Sequence, residues 1–239
     1  MELASYFQQF LLGTYPYIAL SVFFIGSLVR FDREQYTWRS DSSQLLRARE
    51  LRWGSNLFHF GVLFVFVGHF FGMLTPHWAY AWLIASGQKQ LLAMVSGGIA
   101  GAAALVGLTL LIHRRLADPR IRSNSRAWDI AILFILWLQL ALGLTTIAFS
   151  GQHLDGAMME RLAGWAQRIV TFRPGAADLV VGVPIVFQIH IFLGLTIFLI
   201  FPFTRLVHIW SGFAAVAYLF RPYQLVRTRR KWKPTGVQG

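Results

Sequence analysis

The 239-residue sequence contains no cysteine. That absence removes thiolate-held iron–sulfur clusters, disulfides and covalently attached c-type haem from this chain. Any redox centre it carries has to be held by other ligands, and histidine is the available one. Charge is scarce as well: Asp, Glu, Lys and Arg make up 13% of the residues, against 56% hydrophobic. A soluble domain carries roughly 25% charged residues, so this composition points into a membrane. The chain shows no internal repeat, no low-complexity tract and no spare length for a sizeable soluble domain.

What fills it instead is a set of apolar windows at residues 11–29, 55–74, 91–112, 130–149 and 181–201. Each is close to the roughly 20 residues that cross a bilayer as a helix. The expected architecture is an all-α, five-helix transmembrane bundle over residues 1–226, followed by a basic tail at 227–239. No Lys or Arg precedes the first window, and it exceeds the usual apolar stretch of a signal peptide, so it reads as a spanning helix. In the connection 150–179, residues 156–170 place Met159, Leu162, Ala163, Ala166 and Val170 at helical spacing. They predict a short surface helix at the membrane interface. Asp41-Ser-Ser-Gln predicts a capped start for a helix leading into the second span.

The net charge of +12 is not spread evenly. Residues 30–52 hold six Lys or Arg, residues 113–129 five, and residues 205–239 seven. The remaining four are Lys89, Arg161, Arg168 and Arg173. This alternation follows the positive-inside rule and places the N-terminus outside and the C-terminus in the cytoplasm. The excess is a topology signal first and a means of meeting anionic lipid or an acidic partner second. No nucleic-acid partner is expected.

Histidine is where chemistry enters. His59 and His69 lie ten residues apart in the second window; His190 and His208 lie eighteen apart in and just beyond the fifth. Ionisable rings at membrane depth are costly and usually functional. The two helices run antiparallel, so each offers an inner and an outer imidazole. The pairs by depth are His59 with His208 and His69 with His190. Two facing imidazoles suit a six-coordinate b-type haem. A structural zinc site wants four converging ligands, and catalytic zinc usually three. A haem-free proton channel or transporter using the histidines as a relay is the alternative from another class.

The spacing leaves a problem open. At about 1.5 Å per residue, the two ligands are about 15 Å apart on one helix and about 27 Å on the other. Pro202 offers partial relief by breaking or kinking the fifth helix before His208. Gly61, Gly68, Gly72 and Gly194 would give a macrocycle room, although glycines also pack spanning helices. Phe58, Phe66, Phe70 and Phe71 face either the rings or lipid. Arg205, three residues before His208, is placed to pair with haem propionates, and equally to serve as a positive-inside marker. His77, His113 and His153 read as ordinary helix-end or loop residues. His77, Trp78, Tyr80 and Trp82 resemble an interfacial aromatic belt.

Several blocks carry a family likeness: YTWR (36–39), SNLFH (55–59), GHFFGMLTPHW (68–78), QHLDG (152–156), GWAQ (164–167), FPFTRLVHIWS (201–211) and YQLVR (223–227). In order and over nearly the whole chain, they resemble the gamma subunit of membrane-bound respiratory nitrate reductase. The resemblance implies a dihaem cytochrome b anchored in the bacterial cytoplasmic membrane. Such a subunit oxidises quinol, either menaquinol or ubiquinol, near the outer face. It passes electrons to a cytoplasmic iron–sulfur beta subunit and a molybdenum alpha subunit that reduces nitrate. It further implies an outer haem on His69 and His190, an inner haem on His59 and His208, and a quinol site using Lys89 with the backbone at Gly68 close by. The nearest alternative is a dihaem cytochrome b of another quinone-linked oxidoreductase, such as a hydrogenase or a heterodisulfide-reductase-like complex.

Overall fold

The computed structural model describes residues 2–34, 48–123, 125–152 and 154–211. The capped start expected at Asp41 and the basic tail at 227–239 lie outside them. Among the described residues all regular structure is helical. Helix α1 (Glu2–Gln9) passes through a π-helical turn (Phe10–Thr14) into α2 (Tyr15–Glu34). Then follow α3 (Ala48–Leu74), α4 (His77–Tyr80), α5 (Ser86–Ala117), α6 (Pro119–Ser123), α7 (Ala127–Ser150), α8 (Ala157–Val170) and α9 (Ile185–Ile200). Five helical stretches are long and apolar enough to cross a membrane: Tyr6–Glu34, Leu51–Leu74, Ser86–Ala117, Ala127–Ser150 and Ile185–Phe203. They coincide with the five apolar windows, and hydropathy alone is the reason. In lipid, a helix satisfies its own backbone groups.

The spans pack in the spatial order α3–α5–α7–α9–α2. Small residues bring α3 and α5 together. A Cβ on Gly61 would stand 2.5 Å from the Ala100 carbonyl oxygen, and one on Gly54 would stand 3.2 Å from that of Gly107. Gly61 is therefore a helix-packing glycine, not room for a macrocycle, because its face is turned to α5. Gly68 and Gly72, by contrast, have nothing within 4 Å of a built Cβ. Gly61→Leu would drive α3 off α5 and is expected to cost about 3 kcal/mol by overpacking. Thermal unfolding in detergent, with Gly97→Ala as the comparison in open space, measures the difference.

Pro16 shapes the first span. Proline has no N–H to offer the carbonyl four residues back, which belongs to Leu12. The buried Trp165 indole N–H of α8 donates to that oxygen at 2.8 Å. Gln167 Nε2, two residues on and so about 200° around the helix, donates to the Met73 and Thr75 carbonyls at the end of α3 (2.9 and 3.3 Å). Helix α8 thus ties the start of the first span to the end of the second. It is more deeply set than the expected surface helix: Ala163, Trp165 and Ile169 are buried, and Trp165 and Ile169 join a core with Leu12, Ala19, Val180 and Phe187. Val170, expected on the apolar face, is exposed.

The fifth span ends differently from the other four. Helix α9 stops at Ile200, and two single 3₁₀ turns follow, Phe201–Phe203 and Arg205–Val207. Thr204 between them is extended (φ −113°, ψ 176°), and its hydroxyl accepts the Leu206 N–H at 3.2 Å. Pro202 is fully buried, seated where a Cβ on Gly26 would meet its ring at 2.9 Å. His190 and His208 are therefore not on one straight helix. The estimate of about 27 Å assumed continuous helix, and the break at Pro202 removes that assumption.

Candidate functional site

Helix α3 carries His59 and His69 ten residues apart, about 15 Å along its axis. Opposite His69 stands His190 of α9, with ring centres 6.2 Å apart and planes at 46°. Opposite His59 stands His208, delivered by the 3₁₀ turns, at 6.3 Å and 73°. Both pairs expected from depth are thus adjacent in space. A metal bonded to two imidazole nitrogens at about 2 Å each would put the ring centres about 6 Å apart. The separations match that bridge.

The unreacting ring nitrogens are occupied in a way that prepares the others. His59 Nδ1 lies 2.7 Å from the Ser55 carbonyl, His69 Nδ1 2.8 Å from that of Val65, and His208 Nδ1 2.6 Å from that of Arg205. A carbonyl only accepts, so Nδ1 carries the proton and Nε2 is left bare, the form that ligates a metal. Burial holds the His208 imidazole below its ordinary pKa, which keeps it neutral and ligand-competent. His190 is fixed across helices instead. Gln139 Nε2 of α7 donates to its backbone carbonyl at 3.1 Å, and a Cβ on Gly143 would come within 3.0 Å of its ring. No cluster of three or more His, Asp or Glu suited to one ion occurs among the described residues. The donor sets are two-ligand sites, which fit a cofactor that brings four equatorial ligands of its own and not a bare zinc ion.

Lys89 lies in the first turn of the span that begins at Ser86, not in the connection before it. Its Nζ sits 3.7 Å over the Tyr80 ring, and that nitrogen is buried with no hydrogen-bond partner among the described residues. The antiparallel register of Gly54 with Gly107 and Gly61 with Ala100 puts Lys89 at the His69 end of α3. Gly68 is beside His69, on backbone that nothing else crowds. A buried ammonium with unused donors is suited to an oxygen acceptor.

Arg205 is turned to Asp129, with Nη1 3.9 Å from Oδ1; Arg115 approaches the other oxygen at 3.7 Å. One carboxylate between two guanidinium groups leaves local positive charge next to His208. His113 is exposed, as expected of a helix-end residue. His77 pairs loosely with Glu160 (3.9 Å), which also accepts from Ser86 Oγ. His153 lies outside the described residues. Phe66, Phe70 and Phe71 are exposed, consistent with lipid-facing positions.

Three contributors escaped sequence reasoning. Gly143 carries no signal among the other small residues of its span. Tyr80 reads as one member of an aromatic belt until Lys89 is seen on its face. Arg30 reads as a topology charge, yet its Nη1 donates to the Pro202 and Thr204 carbonyls at 2.6 and 2.9 Å.

Comparison with known proteins agrees with this geometry. The family described as nitrate reductase gamma subunit matches residues 8–229. The respiratory nitrate reductase 2 gamma chain of Escherichia coli (strain K12) is 54% identical over 95% of this chain and 99% of its own length. The nitrate reductase gamma chain of Bacillus subtilis (strain 168) is 38% identical over 92% and 98%. With five helices long enough to span a membrane and a match over nearly its whole length, the chain belongs to the nitrate reductase gamma subunit family.

Proposed function

We propose that this chain is the dihaem cytochrome b membrane-anchor subunit of a respiratory nitrate reductase. In this reading it sits in the bacterial cytoplasmic membrane with its N-terminus outside. It takes electrons from quinol near the outer face and delivers them to a cytoplasmic iron–sulfur beta subunit and a molybdenum alpha subunit. The observation that carries the reading is the pair of opposed imidazoles at two depths, 6.2 and 6.3 Å apart.

His69 and His190 would hold the outer b-type haem, and His59 and His208 the inner one. Bound there, haem supplies one-electron chemistry over a separation too large for a single site to span. The chain's own residues do the rest. Backbone carbonyls keep Nδ1 of three of the four histidines protonated and orient their Nε2 atoms. Lys89 would donate a hydrogen bond to a quinol oxygen beside Gly68, holding the ring at the outer site and favouring the charge that develops as its proton leaves. Tyr80 supports that ammonium from below without consuming its donors. Arg205, with Arg115, would balance the inner propionates around Asp129. Proton release at one face with electrons consumed at the other would charge the membrane, about 2.3 kcal/mol per charge per 100 mV.

A reduced-minus-oxidised optical spectrum of the purified complex tests the reading. Two b-type components, both reducible by quinol, are expected. A fully assembled complex without any b-type signal would sink it.

A further inference from the structure

We infer that Arg30 is a positioning residue for the inner histidine pair, acting through the loop that carries His208; the inference rests on the two-haem reading above. Three of the four proposed ligands stand on continuous helix: His59 and His69 on α3, His190 on α9. His208 alone follows a broken segment, after Pro202, extended Thr204 and a single 3₁₀ turn. Such a segment at a span's end leaves carbonyls that no helix satisfies, each costly if it stays unpaired at membrane depth.

Arg30 addresses that liability directly. One nitrogen of its guanidinium, Nη1, reaches from α2 to both the Pro202 and the Thr204 oxygens, 2.6 and 2.9 Å away. The two carbonyls flank Phe203 and fix where the chain turns. Gly26, one turn earlier on the same helix, is the bed for the Pro202 ring. Thr204 Oγ1 in turn starts the turn Arg205–Val207 by accepting the Leu206 N–H. The Arg205 carbonyl then receives His208 Nδ1. From Arg30 to the imidazole runs a short length of backbone pinned at Pro202, Thr204, Leu206 and Arg205 by hydrogen bonds, with Val207 fully buried behind it. Arg30 touches neither imidazole; it sets the place from which one of them reaches.

The test is spectroscopic, on the full complex. Optical and electron-paramagnetic spectra, with redox titration and haem per chain, would be compared in wild type, Arg30→Gln, Arg30→Lys and Arg33→Gln. Arg33 is exposed on the same helix and controls for loss of one topology charge. Arg30→Gln is expected to lose the His59/His208 signal, halving the haem per chain, while the His69/His190 signal stays. Arg30→Lys keeps the charge and one nitrogen donor, on a stem one bond shorter and with a point charge in place of the guanidinium; it should retain the inner signal in part, shifted or weakened, without touching the outer one. Wild-type inner spectra and potentials in both Arg30 variants would overturn the inference. So would equal loss of both haems in Arg30→Gln, or the same effect from Arg33→Gln. A wild-type complex showing only one b-type signal would instead defeat the two-haem reading itself.

Discussion

Replacing His69 with alanine is expected to reduce quinol-driven electron delivery at least about 100-fold, the scale on which even indirect partners of a metal ligand matter. On the proposed two-haem reading, the inner haem should remain. His69 is exposed on α3, and among the described residues its only hydrogen bond is to the Val65 carbonyl of its own helix, so the backbone loses no support with the ring. The inner pair lies about 15 Å further along the helix. Its histidines are held by the Ser55 and Arg205 carbonyls, supports of their own. The measurement has two parts. The difference spectrum should lose one b-type component and keep the other. Nitrate reduction driven by a soluble dye that bypasses this chain should continue. Undiminished quinol oxidation in the His69→Ala complex would show that electrons enter elsewhere.

The second large effect concerns Lys89. A hydrogen bond to a charged donor contributes about 1.5–3 kcal/mol, so Lys89→Ala should lower kcat/KM for quinol by about 10- to 100-fold. Both haem spectra should be unchanged, because the Lys89 ammonium lies over Tyr80 and has no hydrogen-bond partner among the described residues. Tyr80→Leu should weaken turnover less, since it removes the surface beneath the ammonium but leaves the donor. If Lys89→Ala binds and oxidises quinol as wild type does, the outer site needs another acceptor-binding group.

Much of this was legible from apolarity alone. A helix that must bury about 20 residues in hydrocarbon advertises itself by composition, and the spans at 51–74 and 127–150 depart little from the windows read for them. Pairing the four histidines needed only the direction of each helix. What was not legible depends on partners far away in sequence. Nothing near Arg30 says that its guanidinium meets carbonyls more than 170 residues later. Nothing near Gly61 tells a packing glycine from Gly68 and Gly72, seven and eleven positions on, because the difference is whether α5 lies opposite. The polar Gly-Gln-Lys at 87–89 hides a helix start at Ser86, because only the apolar stretch after it stands out in the sequence. On α8, Trp165 and Ile169 shift the buried face away from Val170, since the indole has a specific oxygen to reach. The apparent conflict in histidine spacing came from treating eighteen residues as one helix, when Pro202 divides them.

Pro16 and Trp165 have a bearing on how this sequence can drift. Restoring an ordinary residue at 16 gives the Leu12 carbonyl a helical donor of its own and makes the indole N–H redundant. Losing the indole while keeping the proline leaves the same oxygen short of a donor at that register. The two changes are therefore unequal, although 149 positions separate them. Loss of Trp165 is costly while Pro16 stays and tolerable once it is gone, so the order of substitution is constrained: position 16 can change first, and a variant that loses the indole first should invite a second substitution at 16.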